Sequence, residues 1–122
     1  MGYNIATITE DGETISSHFG MAPLYRVYRI EDGRVVSRED RAKPYHAQHP
    51  EHGSGGHPGH ADMFAPIADC RVLLCGGMGT PAYQKALAAG LDVVLAGGEI
   101  LATVNTYLDG VLQSDLRRVH QH

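Results

Sequence analysis

Five of the chain's eight histidines fall within fifteen residues: His46, His49, His52, His57 and His60. Imidazole is a neutral nitrogen donor that suits borderline metals such as iron, copper, nickel and zinc. The same stretch, residues 43–60, holds Pro44, Pro50 and Pro58 together with Gly53, Gly55, Gly56 and Gly59. These residues break both helix and strand, and no apolar periodicity runs through them. The expectation is a long mobile His/Gly-rich loop, of the kind that in compact domains is functional or disordered. Such a loop lets several imidazoles converge without a rigid scaffold, at an ordering cost on the order of 1–2 kcal/mol per residue fixed. A site built this way exchanges its metal readily, as a carrier requires and a structural zinc site does not. The competing reading is a solvated linker rich in His.

Two further groups carry donors. Ser16-Ser17-His18-Phe19-Gly20 follows the first predicted strand and its turn, which places His18 at a sheet end as a candidate ligand. Its plain alternative is a hydrogen-bonded loop histidine. Cys75-Gly76-Gly77-Met78-Gly79-Thr80 leads from a predicted strand into a predicted helix. A glycine turn there presents backbone N–H groups and the positive end of the helix dipole, a ready anion site. Cys75 and Met78 add soft sulfur donors beside it. The plain alternative is that the glycines only make the turn, Cys75 is a small hydrophobe and Met78 packs.

The two cysteines, Cys70 and Cys75, do not form a conventional metal site. On one regular strand their odd offset would point them to opposite faces of a sheet. Two thiolates also fall short of the four that hold an ordinary iron–sulfur cluster, and no zinc-finger spacing is present. A cluster bound here would have few protein ligands: histidine, backbone N–H groups and one sulfur. That pattern fits passage and not residence.

The elements that must position these groups read as follows. Residues 3–9 form a strand and Glu10 to Glu13 a turn. Leu24 to Ile30 and Arg34 to Arg38 form a hairpin around Glu31-Asp32-Gly33. Ala61 to Ala68 reads as a short helix interrupted by Pro66. Arg71 to Cys75 is an apolar strand of the kind covered on both faces, and Gly76 to Gly79 a tight turn. Thr80 caps the next helix, Pro81 fits its first turn and Gly90 ends it. Leu91 to Leu95 is a second buried strand. A last helix runs from about Glu99 to Leu108 with Ile100, Leu101, Val104 and Leu108 on one stripe. An antiparallel half thus precedes a parallel β-α-β half, giving an α/β fold with a mixed sheet of about five strands.

Length and charge narrow the function. A chain of 122 residues fits one domain, 1–122, without a deep two-lobed active site. A net charge of −4 offers no basic footprint for nucleic acid. No apolar run approaches membrane-spanning length, and the start of the chain does not read as a signal peptide, so the expected location is cytoplasmic. Gly77-x-Gly79-x-x-Ala82 satisfies a GxGxxA pattern, but it sits too late in the chain for the first β-α-β of a dinucleotide fold. No nucleophile–base pair or carboxylate dyad is found, so no enzyme activity is expected.

Ser17-His18-Phe19-Gly20, the Gly/His loop, Gly76-Gly77-Met78-Gly79 and a final Gly-Gly-x-Ile helix ending in Tyr107-Leu108-Asp109-Gly110 together resemble the dinitrogenase iron–molybdenum cofactor biosynthesis family. This is the NifX-like group, which includes the C-terminal domain of NifB-type proteins; the resemblance runs from about residue 3 to residue 112. It implies a ribonuclease-H-like five-stranded mixed sheet flanked by helices. It also implies transient binding of an iron–molybdenum cofactor or its iron–sulfur precursor, and a carrier or storage role with assembly proteins that donate and accept the cluster. His18 falls in the family's S-x-H-F-G-like motif, and the histidines of 46–60 in its variable loop. A nuclease is disfavoured even on this fold, because the central strands lack the carboxylates that hold magnesium. The rival reading is a buffer or sensor for zinc, copper or nickel that uses the His-rich loop alone.

Overall fold

A computed structural model describes residues 2–20, 22–42, 64–115 and 118–120. The histidines His46, His49, His52, His57 and His60 therefore lie outside the described residues, as does the loop expected over 43–60. In chain order the strands and helices are β1 (Gly2–Thr9), β2 (Thr14–Ile15), β3 (Leu24–Glu31), β4 (Arg34–Ala42), β5 (Val72–Cys75), β6 (Met78–Gly79), α1 (Thr80–Ala88), β7 (Asp92–Leu95), β8 (Gly98–Glu99), α2 (Ile100–Leu108) and β9 (Val119–His120).

Five strands make the main sheet in the order β4-β3-β1-β5-β7. β1 pairs antiparallel with β3 and parallel with β5, and β5 pairs parallel with β7. This is the mixed five-stranded sheet that the sequence led us to expect. The β3–β4 hairpin turns at Asp32 (φ 52) and Gly33 (φ 77). Two successive residues at positive φ make the turn whose twist matches that of the flanking strands. Register slips past Arg29, where Ser37 faces Arg29 and Val35 faces Ile30, so Val36 is bulged out and left 56% exposed. A bulge of this kind breaks the strict alternation expected of a strand pair.

All four residues of β5 are buried, as are Val93, Val94 and Leu95 of β7, which fits central parallel strands covered on both faces. Ile5, Ala6 and Ile8 of β1 join them, with Ile100 and Val104 from α2 and Ala86 from α1. No helix among the described residues is long and apolar enough to cross a membrane.

Local expectations are corrected at several points. Of the helix expected over Ala61 to Ala68, the described part is a 3-10 turn at Ala65–Ile67 with Pro66 in its first positions; proline has no N–H to extend a ladder there. The turn expected over Gly76 to Gly79 is shorter, because Met78 and Gly79 pair with Val119 and His120 of the tail. Gly79, still extended at φ −73 and ψ 159, takes the N-cap of α1, and Thr80 becomes the first helical residue. On α2 the buried face is Ile100, Thr103 and Val104, while Leu101 is 44% exposed. Glu99 caps that helix by accepting a hydrogen bond from the Ala102 N–H at 3.1 Å.

Candidate functional site

The candidate site lies at the carboxyl ends of β5 and β7, where open α/β sheets place ligands. β5 ends at Cys75 and the chain turns through Gly76 and Gly77 into β6 and α1. The segment after β2 is clamped directly onto this turn. The Gly76 N–H donates to the Ser16 carbonyl at 2.9 Å, and the Phe19 N–H donates to the Gly77 carbonyl at 3.0 Å. A Cβ added at Gly76 would stand 2.6 Å from the Ser16 oxygen, so only glycine permits this approach.

Ser16 shapes the segment from within. Its hydroxyl donates to Glu10 Oε2 at 2.7 Å and accepts from the His18 N–H at 3.0 Å. Ser16 is buried, whereas Ser17 and His18 are exposed. The loop is thus held by its backbone and by Ser16, leaving the His18 imidazole at the surface. Phe19 instead turns inward, where it is 3% exposed. Its ring stacks on Phe64 with centroids 5.4 Å apart and tilts against Tyr25 at 6.3 Å. Phe64 is the first described residue after the histidine-rich stretch. Phe64 thus packs on the neighbour of His18.

The sulfur donors of Cys75 and Met78 are buried, whereas His18 is exposed. Cys75 is fully buried and its thiol donates to the Gly77 carbonyl at 3.2 Å. Met78 is 1% exposed and belongs to the core. Cys70 lies before β5 and not on it, so the parity argument for the two cysteines does not arise. Burial, reinforced by the Asp69 carboxylate beside it, pushes the Cys70 thiol up to about 12. Gly76 to Thr80 do form the start of the α1 entrance, and Gly79 offers no side-chain cap there. Among the described residues no group of three His, Cys, Asp or Glu side chains is arranged to hold a metal ion. Whatever these residues bind must bring ligands of its own or draw on further donors.

The sequence reading missed what lies over this turn. Ser114 Oγ accepts from the Leu95 N–H at 2.9 Å, Asp115 N–H donates to the Leu95 carbonyl at 2.8 Å, and Arg118 Nη1 donates to the Gly76 carbonyl at 3.0 Å. The tail is polar and lacks periodicity, so no local signal marks its docking place. A second candidate basin of about 570 Å³ opens between the hairpin and the start of α2, lined by Arg26, Tyr28, Val36, Glu99 and Leu101 among others. Arg26 there is already engaged by Asp40 and the Gly12 carbonyl.

The sequence profile of the family described as "Dinitrogenase iron-molybdenum cofactor" matches residues 1–110. No curated protein matches the chain. Among solved structures, the protein PH0822 superposes with a TM-score of 0.71 at 23% identity, covering 92% of this chain and 94% of that one. A protein of Methanocaldococcus jannaschii provisionally described as a dinitrogenase superposes with a TM-score of 0.68 at 14% identity, over 94% and 96% of the two chains. A Thermotoga protein provisionally described as a NifB protein gives 0.59 at 19% identity, over 92% of each. At these identities the structural likeness speaks for the fold alone.

Proposed function

Because the chain belongs to the dinitrogenase iron–molybdenum cofactor family, we propose that it binds a metal–sulfur cluster, of the iron–molybdenum cofactor or iron–sulfur precursor type, and carries or stores it during cofactor assembly. The cluster is cargo, and the protein makes and breaks no bonds within it. Its partners on this reading are cytoplasmic assembly proteins that donate the cluster and accept it.

The observation that carries the proposal is the position of Phe19. Its N–H holds the Gly77 carbonyl and its ring holds Phe64. One residue thus ties together the His18 loop, the glycine turn and Phe64, the first described residue after the histidine-rich stretch. His60 stands four residues before Phe64.

In this reading His18 and some of His46, His49, His52, His57 and His60 supply nitrogen ligands to exposed metal atoms of the cargo. The cargo keeps its own sulfides, so few protein ligands suffice. The entrance of α1 near Gly79 and Thr80 faces the anionic charge with the positive end of its dipole. Cys75 and Met78 act as buried supports that fix the turn's shape, with their sulfurs available only if the turn opens.

Anaerobic titration with a preassembled cluster tests the reading. Full-length protein binds it, and His18→Ala weakens binding about tenfold or more, the usual scale for a lost metal contact. No binding, or equal binding by His18→Ala, contradicts it. Binding of zinc, copper or nickel alone, abolished only by deleting 46–60, would favour the divalent-metal buffer instead.

A further inference from the structure

Arg118 stands beyond residue 110, where the family match ends. Its neighbours in the chain are fastened to the sheet. Ser114 Oγ accepts from the Leu95 N–H, the Asp115 N–H donates to the Leu95 carbonyl, and the Arg118 N–H donates to the Asp115 carbonyl at 3.0 Å. On its other side Val119 pairs with Met78. The arginine is therefore delivered to one place, beside the turns that follow β5 and β7. Those turns are themselves joined, since the Ala96 N–H donates to the Cys75 carbonyl at 3.0 Å.

There Arg118 Nη1 donates to the Gly76 carbonyl at 3.0 Å. Gly97 lies against the guanidinium, and an added Cβ would stand 3.3 Å from Nη1 and 3.5 Å from Nη2. The next carbonyl of the β5 turn, that of Gly77, is held by the Phe19 N–H of the His18 loop. A guanidinium and the candidate imidazole loop thus hold adjacent carbonyls of one glycine turn.

The positive charge is positioned but weakly neutralised. Its hydrogen bond goes to a neutral carbonyl, and Nε makes none. Asp115 Oδ2 is 3.9 Å from Nε, beyond hydrogen-bond reach, and the two side chains are 39% (Arg118) and 32% (Asp115) exposed. An ion pair so long and so exposed is screened by solvent. Among the described residues the other arginines and lysines stand elsewhere: on β3 and β4, before β5 at Arg71, and in the last turn of α1 at Lys85.

We propose that Arg118 is a specificity-determining contact of the carrier site, whose guanidinium takes the negative charge of the cargo. A guanidinium is weakly hydrated and presents several donors in one plane, which suits a polyatomic anion with several acceptor atoms. The same fixed charge repels a bare divalent cation. The site therefore favours an anionic metal–sulfur species over a free metal ion. The proposal rests on the cluster-carrier reading and adds the residue that reads the cargo's charge.

The probe is tetrathiomolybdate, a dianion, titrated anaerobically and followed by its absorption at low salt and at about 0.5 M salt, where exposed charges are strongly screened. The full-length protein is compared with Arg118→Gln, Arg118→Lys and Gly97→Ala. Arg118→Gln should weaken binding about tenfold or more, the scale of one lost charge-assisted hydrogen bond, and should flatten the salt dependence. Arg118→Lys, which keeps the charge, should recover part of both. A purely structural role predicts equal losses for Gln and Lys and an unchanged salt dependence, and that result overturns the proposal. So does equal binding by Arg118→Gln, or no binding by the unaltered protein. None of these touches the carrier reading, which the cluster titration of His18→Ala judges separately. Slow exchange of the Leu95 and Asp115 amides reports that the tail stays docked. If Arg118→Gln loses that protection, Gly97→Ala decides: by crowding the guanidinium it should weaken binding severalfold, and equal binding overturns the contact.

Discussion

Phe19 lies against Phe64 with ring centroids 5.4 Å apart and planes within 16°, joining the loop that carries His18 to the first described residue after the histidine-rich stretch. Both rings are nearly fully buried. Phe19→Ala should cost about 3–5 kcal/mol, the usual cost of emptying a buried aromatic site. It should also weaken cluster binding by more than the loss of stability accounts for, because the two segments lose their common anchor. Phe19→Leu, which keeps most of the volume, should restore stability more fully than binding. Urea unfolding and cluster titration on both variants check this, and binding unchanged in a folded Phe19→Ala protein would count against the anchor.

Gly76 is a second point of no substitution. Its added Cβ meets backbone, not a flexible side chain, so relief requires moving the Ser16 segment. Gly76→Ala is expected to destabilise by about 1–3 kcal/mol through overpacking. The Ser16–Gly76 hydrogen bond should open with it, visible as faster exchange of the Gly76-equivalent amide. A variant as stable as the parent would show that this approach is not tight.

Much of this arrangement was legible in the residues, and the reasons differ from part to part. The hairpin at Asp32-Gly33 and the apolar runs of β5 and β7 are local signals, so an antiparallel half followed by a parallel half could be read from connection rules. His18 and the glycine turn could each be picked out, but their clasp joins Ser16 to Gly76 across sixty residues of sequence, and no local pattern encodes such a contact. The bulge at Val36 and the pairing of Met78 with Val119 were hidden for the same reason. Thr80 was expected to cap α1, yet the tail keeps Gly79 extended and shifts the cap by one residue.

Acid should unfold the protein partly through two carboxylates. The Arg26 guanidinium holds Asp40 below its ordinary 3.8, and Arg41 does the same for Asp69; burial opposes both shifts. A depressed carboxylate pKa gives stability that is present above the unfolded value and lost as pH falls through the folded one. Stability from these pairs should therefore hold from pH 7 to about 5 and decline below about 4. Asp40 is 46% exposed, so solvent screening limits its pair to about 0.2–1 kcal/mol. Asp40→Asn should flatten part of the acid limb measured by urea unfolding, and 1 M salt should do likewise. An unchanged limb would mean that the pair contributes nothing.

Both thiols should be slow to react in the native protein. Thiol reagents attack the thiolate, and a group near 12 carries about a thousandfold less of it at pH 8 than an ordinary cysteine. Cys70 is so placed, and Cys75 is closed off beneath the Gly77 carbonyl. Labelling with a disulfide reagent at pH 8 should be slow for both in buffer and rapid in urea. Fast labelling of Cys75 alone would show that the turn opens on its own and exposes sulfur to the site.

The most direct test of the central claim is paramagnetic line broadening in the nuclear magnetic resonance spectrum of the labelled protein on anaerobic addition of a preassembled cluster. The amides of Ser17, His18 and Phe19 should broaden together with those of Gly76, Gly77 and Gly79, at the same cluster concentration. Broadening confined to residues 46–60, with both of those groups sharp, would contradict the account.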